Sequence, residues 1–301
     1  MKKIKLLLGF AVLATGIILL PSCQSSKTSA GAGKVLKFNL EKGKGYDYEL
    51  VWDMDMKAAG QTSTVTIDGQ YSMNIVDDNA GVKTVETMYK SIRMSMSVMG
   101  MNIEMDTDKP VDENTDVESN PTGAMNKVMK GLVNKPFMVK VDAEGNVLEI
   151  TGVDKIVTDM VDSLGLSEER KQMVVASMKD QFSDESMKDN FAEMFTIFPN
   201  KEVKVGDSWK KTYSKGGRTA ATFNTTYTVK EIDGDHVTLK AESKISGKDE
   251  MDVAGTQTGN IIIDSKTGLM INAEYDQDMK MSISGQKVSM IGKGRIKGKA
   301  L

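Results

Sequence analysis

The chain has 301 residues, 40% of them hydrophobic, with 39 basic and 42 acidic side chains, one histidine, one cysteine and 23 methionines. A single cysteine excludes an internal disulfide, and one histidine without a second thiol argues against a zinc site. Setting aside the three lysines among the first five residues leaves 36 basic against 42 acidic groups, a net charge of −6, which argues against nucleic acid as a partner and against a basic patch for anionic lipid headgroups.

The chain begins "MKKIKLLLGFAVLATGIILLPSC". An apolar run from Leu6 to Leu20, broken by Gly9, Thr15 and Gly16, follows the lysines. It is shorter than the roughly 20 residues that span a bilayer. A basic start, a short apolar stretch and small residues before a cleavage point predict a secretory signal over residues 1–22. The end of that run, "LPSC", resembles a lipobox. The resemblance implies cleavage before Cys23 and acylation of its thiol and new amino group, leaving no thiol for catalysis. More than one acyl chain makes a firm membrane anchor. Gln24 follows, not an acidic residue. By the same resemblance this implies the outer membrane, on the side facing the periplasm. "QSSKTSAGAGK" has no periodicity and predicts a flexible tether, so that residues 23–34 hold a folded domain, 35–298, away from the membrane. A domain of about 265 residues buries about 70% of its surface.

From residue 34 to 109 the pattern is period two, predicting half-exposed antiparallel strands. Leu36, Phe38 and Leu40 alternate first; Gly43 and Gly45 mark a turn; Tyr46, Tyr48, Leu50, Trp52, Met54 and Met56 then share a face. With Ala59-Gly60 central to a hairpin, Met54 faces Val65 and Trp52 faces Ile67. In "MSMSVMGMNIEM" the phase flips, as a two-residue connection at Met99-Gly100 requires. Val98 then faces Met101, Met96 faces Ile103 and Met94 faces Met105. Neither pair of turn residues is favoured for a type I′ turn, so the turn type stays open. The acidic loop from Asp106 to Asn120 lacks the D-x-D-x-D-G spacing of a calcium loop.

The period then becomes helical. Asn120 caps and Pro121 starts a helix with Met125, Val128, Met129 and Leu132 on one face. After a strand pair over 136–150 come Val153, Ile156, Val157, Met160, Val161 and Leu164, stopped by Gly165. Ser167 opens a third helix carrying Val174, Val175, Met178 and Phe182. A fourth carries Met187, Phe191, Met194, Phe195 and Phe198 and ends at Pro199. One-faced helices need an apolar partner, and the sheet offers one.

Beyond residue 203 the strands return. In "MKMSISGQKVSM", a turn at Ser284-Gly285 sets Met281 against Val288 and Met279 against Met290. "YSMNIVDDNAGVKTVETMYKSI" echoes "TYTVKEIDGDHVTLKAESKI", which predicts two related halves, 35–110 and 203–298, flanking a helical insert at about 120–199. "VDAEGNV" and "IDSKTGL" each read as an Asp-to-Gly turn between short strands.

Catalytic machinery is thin. His236 adjoins a turn, no G-x-S-x-G occurs, and the glycines of "GKGRIKG" precede no helix. No enzyme activity and no cofactor are expected. The methionines admit three readings. They fill an irregular core; they line an adaptable apolar cavity; or, as soft thioethers in M-x-M pairs, they hold Cu(I).

With the lipobox, "VKVGDSWKK" (Val203 to Lys211) and the M-x-M hairpins in hand, the chain resembles an uncharacterised family of Gram-negative lipoproteins with a domain of unknown function. Its layout is also similar to the lipoprotein-localisation carriers LolA and LolB and to mycobacterial lipid-binding lipoproteins. The resemblance implies an α+β fold: a strongly curved antiparallel sheet, an unclosed barrel, with helices covering the concave face. It further implies a membrane-anchored protein that binds a lipid or an acylated protein in an apolar cavity. The expected wall comprises Trp52, Met54, Met94, Met96, Met101, Met105, Met279, Met281 and Met290 from the sheet, with Met125, Met129, Phe191 and Phe195 from the helices. The alternative is a structural or assembly lipoprotein of an envelope complex without a ligand; the third reading is Cu(I) binding.

Overall fold

Apolar alternation punctuated by two-residue turn signals commits a chain to hairpins, because each strand buries one face only when it pairs in register with the next. The computed structural model describes residues 33–98, 100–110, 120–162, 164–179, 182–215, 221–247, 252–283 and 285–301. All lie in one compact unit, Gly31–Leu301. The expected signal at 1–22, the expected acylation site Cys23, the expected tether up to residue 32 and the acidic loop at 111–119 fall outside the described residues.

In chain order the elements are β1 (Lys34–Leu36), β2 (Gly45–Ala58), β3 (Gln61–Asn79), β4 (Val82–Val98), β5 (Met101–Asp106), α1 (Pro121–Leu132), β6 (Phe137–Val141), β7 (Val147–Thr151), α2 (Val153–Asp162), α3 (Glu168–Lys179) and α4 (Asp184–Thr196), then β8 (Lys201–Val203), β9 (Ser208–Lys215), β10 (Ala221–Asp233), β11 (His236–Gly247), β12 (Val253–Asp264), β13 (Met270–Ile283) and β14 (Gln286–Ala300). Twelve strands form one sheet in the order β7-β6-β4-β3-β2-β14-β13-β12-β11-β10-β9, with β5 also on β4. The two halves meet where β14 pairs antiparallel with β2, from Ala58 opposite Val288 to Tyr46 opposite Ala300. The end strands β7 and β9 do not pair, so the curved sheet is unclosed. Helix α4 packs against both of them and spans the opening. The class is α+β, with the helices on the sheet's inner face.

The hairpin registers match the pattern: Met54 opposite Val65, Met94 opposite Met105, Met281 opposite Val288. Ala59 and Gly60 have φ of 49° and 79°, both left-handed, as a type I′ turn requires. An alanine there costs about 1 kcal/mol, which the long ladder beyond it offsets. The first segment departs from expectation. Leu36 does not enter the large sheet; β1 forms a separate two-stranded sheet with β8. Leu36, Phe38 and Leu40 are buried against the core, and the Phe38 ring meets Phe195 of α4 edge-on at 4.9 Å. Three alternating residues look the same in either setting.

The helices start where their caps allow. The Asn120 side chain accepts from the Gly123 N–H at 2.8 Å, and Ser183 and Ser186 form a reciprocal capping box at α4. Their apolar faces join Tyr46, Tyr48, Tyr71, Tyr227 and Tyr275 of the sheet in one main core. On the outer face, the puzzling "GKGRIKG" is a strand with small or apolar residues inward and cations outward. Lys293 lies opposite Asp53 and Asp276, and Arg295 Nη2 reaches Asp53 at 3.2 Å. A basic strand between acidic neighbours suits the join between halves.

Among the described residues, one buried side-chain group is unsatisfied. Thr87, fully buried on β4 between Met73 and Phe137, has a hydroxyl without a hydrogen-bond partner. Thr87→Val keeps the shape and removes the stranded polar atom. It is expected to raise stability by about 1 kcal/mol, read as a higher urea midpoint at unchanged slope.

Candidate functional site

Residues directly opposite one another across a ladder share a face, so the registers define rows running across the sheet. One inner row runs Met105, Met94, Ile67, Trp52, Gly294, Tyr275, Gly259, Ala241, Tyr227, Trp209. The next runs Ile103, Met96, Val65, Met54, Gly292, Gln277, Gln257, Ser243, Thr225, Lys211. A third runs Met101, Val98, Ser63, Met56, Met290, Met279, Gly255, Ile245, Phe223, Tyr213. The M-x-M hairpins, far apart in sequence, thus lie on the same face and at the same end of the strands, with the β2–β3 hairpin between them.

From Trp52 to Trp209 the first row belongs to the main core. Trp52 is half-buried and stacks on Tyr275 with centroids 6.2 Å apart. It lies flat over Gly294, where a Cβ would come within 2.7 Å of the ring. The third row builds a second cluster, in which Met279, Met281, Phe223, Tyr213, Ile245, Val253 and Val288 are buried, with Met56 and Met290 packed against them. The middle row separates the two clusters because in the C-terminal half it is polar: Gln277, Gln257, Ser243 and Thr225 are all buried. They satisfy each other, Gln277 Nε2 donating to Gln257 Oε1 at 3.2 Å and the Thr225 and Ser243 hydroxyls bonding at 2.8 Å.

Glu193 of α4 anchors on this end of the sheet. It accepts from the Tyr213 hydroxyl at 2.8 Å and pairs with Lys215 Nζ at 2.6 Å. Burial alone would raise its carboxyl pKa. The Lys215 ammonium and hydrogen bonds from Lys215, Tyr213 and Gln257 outweigh that and hold the pKa below the ordinary glutamate value. Burial and the Glu193 charge push the Tyr213 hydroxyl far up. Trp209 Nε1 donates to the Ile197 carbonyl at 2.8 Å, fixing the far end of the same helix to β9. Glu193 and the polar row were missed in the sequence. The available signal was four polar residues in apolar phase, one on each of four successive strands.

The expected wall divides. Met105, Met279 and Met281 are buried, while Trp52, Met54, Met94, Met96 and Met290 are half-buried on the inner face. Met129 is half-buried against the main core. Phe191 and Phe195 are buried in that core, Phe191 against Phe137 at 5.6 Å and Phe195 against Phe38. They do not join the second cluster. Met101, 63% exposed, and Met125, 50% exposed, stand in solvent and are corrected from wall to surface. Alternation had placed Met101 on the inner face, but at the end of the row nothing in the described structure buries it.

The apolar recess under the helices, between Tyr89, Leu132, Phe137, Val153, Ile156, Phe182 and Met187, holds only about 10 Å³, room for a single water molecule at most. Larger recesses among the described residues are lined mainly by polar residues: about 620 Å³ over β9–β12, with Thr212, Asn224, Thr226, Glu242 and Lys244, about 330 Å³ beside Asp47, Glu49, Lys90 and Lys297, and about 240 Å³ beside Arg93, Glu104 and Asp106, where Met94 and Met105 also line the wall. On the inner face, Met54, Met56, Met94, Met96 and Met290 with Val98 and Ile103 form an apolar strip, all half-buried. Among the described residues no cluster of three or more His, Cys, Asp or Glu side chains suits a metal ion, and no helix is long and apolar enough to cross a membrane.

Residues 80–270 match the sequence profile of DUF6263, a family of unknown function. No curated protein matches the chain. Among solved structures, lipovitellin, in a study titled for its lipid–protein interactions, is similar at 8% identity with a TM-score of 0.48 over 87% of this chain and 25% of its own. The translocator domain of the autotransporter NalP from Neisseria meningitidis is similar at 6% identity and a TM-score of 0.34, over 85% of this chain and 89% of its own. An outer-membrane channel from Pseudomonas putida F1 is similar at 7% identity and a TM-score of 0.27, over 87% of this chain and 97% of its own. The chain spans a quarter of lipovitellin's length.

Proposed function

We propose that this chain, which belongs to the DUF6263 family, is a lipid-anchored envelope protein that seats a hydrocarbon chain on the open methionine strip of its curved sheet. The hydrocarbon is that of a lipid or an acylated protein. One observation carries the reading: the registers bring methionines from three separate hairpins onto adjacent rows of one face, and leave them half-buried. Thioethers are flexible and polarisable, and suit chains of varied shape. Each methylene they cover contributes about 0.8 kcal/mol, so a short stretch gives useful affinity. No catalytic step is assigned. The lipobox resemblance at Cys23 supports an outer-membrane anchor facing the periplasm.

Native mass spectrometry of protein extracted from its own membranes is expected to show a bound lipid. Its absence from repeated preparations would count against the reading. The paired variant Met54→Asp/Met96→Asp places charge in the middle of the strip. It is expected to weaken binding of the neutral fluorophore N-phenyl-naphthylamine about tenfold or more while leaving the fold intact. An unchanged affinity would move the ligand elsewhere.

The filled recess under the helices favours a second reading, an assembly lipoprotein with a solid core. It predicts a co-purifying protein and no lipid.

A further inference from the structure

We propose that the open end of the methionine rows is a reversible oxidation site, and that its oxidation lowers the affinity of this face for hydrocarbon; the second part rests on the ligand reading above. Exposure falls along a single row, from Met101 at 63%, through half-buried Met56 and Met290, to Met279 at 5%. The neighbouring row adds half-buried Met54 and Met96. A two-electron oxidant attacks a thioether only where it reaches the sulfur, so this gradient sets an order of reaction.

The chemistry balances with hypochlorous acid. The sulfur lone pair forms an S–O bond as the O–Cl bond breaks; the thioether is oxidised to the sulfoxide, the chlorine is reduced to chloride, and the hydroxyl proton goes to water. The product is polar where the strip was apolar, and hydrocarbon seated against it is poorly accommodated. Residues 24–301 hold no cysteine, so no thiol there competes for the oxidant. Methionine sulfoxide is returned to methionine by sulfoxide reductases, one class for each epimer, and the change is therefore reversible. Met173, 61% exposed on α3 and off these rows, is an internal control: it should oxidise early without affecting binding. Met73 and Met160, 0% and 2% exposed, should react last.

The test treats the full chain with increasing hypochlorous acid, maps sulfoxides by peptide mass spectrometry and titrates N-phenyl-naphthylamine. Met101, Met125 and Met173 are expected to oxidise first, then Met54, Met56, Met94, Met96 and Met290. Probe affinity should fall about tenfold or more in step with the second group and return after both reductase classes act. The variant Met54→Leu/Met56→Leu/Met94→Leu/Met96→Leu/Met290→Leu nearly conserves volume, and should bind the probe and keep that affinity in oxidant. Equal loss in this variant, or unchanged affinity once the five are oxidised in the parent, overturns the switch. Oxidation of Met73 and Met160 as early as Met101 overturns the site itself. Should the reduced parent bind no probe, the ligand reading fails, and the mapped order alone upholds or overturns the site.

Discussion

Gly145→Ala is expected to destabilise the protein by about 3 kcal/mol or more, a large loss for one added methyl. Gly145 sits in the β6–β7 turn at φ 85°, where an alanine is strained by about 1 kcal/mol. Its Cβ would also lie 2.0 Å from the Phe195 carbonyl oxygen near the end of α4. A backbone atom cannot rotate aside as a side chain can, so either the turn or the helix must move. The turn is fixed: Asp142 accepts from the Glu144 and Asn146 N–H groups at 3.0 and 2.8 Å. The helix is fixed too, because Phe195 is packed against Phe38. Urea unfolding gives the measurement. A loss below about 1 kcal/mol would show that α4 slides freely along β7, and that it is not the brace across the opening.

Glu193→Ala tests the other side of that brace. The substitution strands Lys215 and the Tyr213 hydroxyl beside an apolar cluster, and is expected to cost about 2 kcal/mol. Partial exposure of both charges keeps the figure below that of a fully buried pair. The pH dependence separates charge from packing. Because the folded pKa of Glu193 lies below its unfolded value, its charge contributes fully above the ordinary glutamate range, near pH 4.3. That contribution is lost as pH falls through the lower folded pKa. The stability gap between the parent and Glu193→Gln should therefore be widest above about pH 5 and shrink on acidification. Parallel curves would remove the charge from the argument.

The local pairing was legible because side chains alternate with period two and a two-residue turn fixes which positions face each other. Met54 against Val65 and Met96 against Ile103 follow from those facts alone. The join of β2 with β14 was not legible, since nothing local selects a partner more than two hundred residues away. Burial was not legible either. Alternation assigns Met101 and Met279 to the same face, but 63% and 5% exposure depend on what lies over each end of the row. Glu193 looked like one more polar residue on a one-faced helix. Its role appears only when Tyr213, Lys215 and Gln257, from two strands, converge on it.

The most direct measurement is photo-cross-linking of the full chain with a fatty acid that carries a diazirine on its hydrocarbon tail, followed by peptide mapping. Cross-links should concentrate on the inner-face residues around Met54, Met56, Met96 and Met290. They should be displaced by unlabelled fatty acid and diminish in Met54→Asp/Met96→Asp. Cross-links confined to the polar outer face, or none that competitor displaces, would contradict a hydrocarbon seat on this strip.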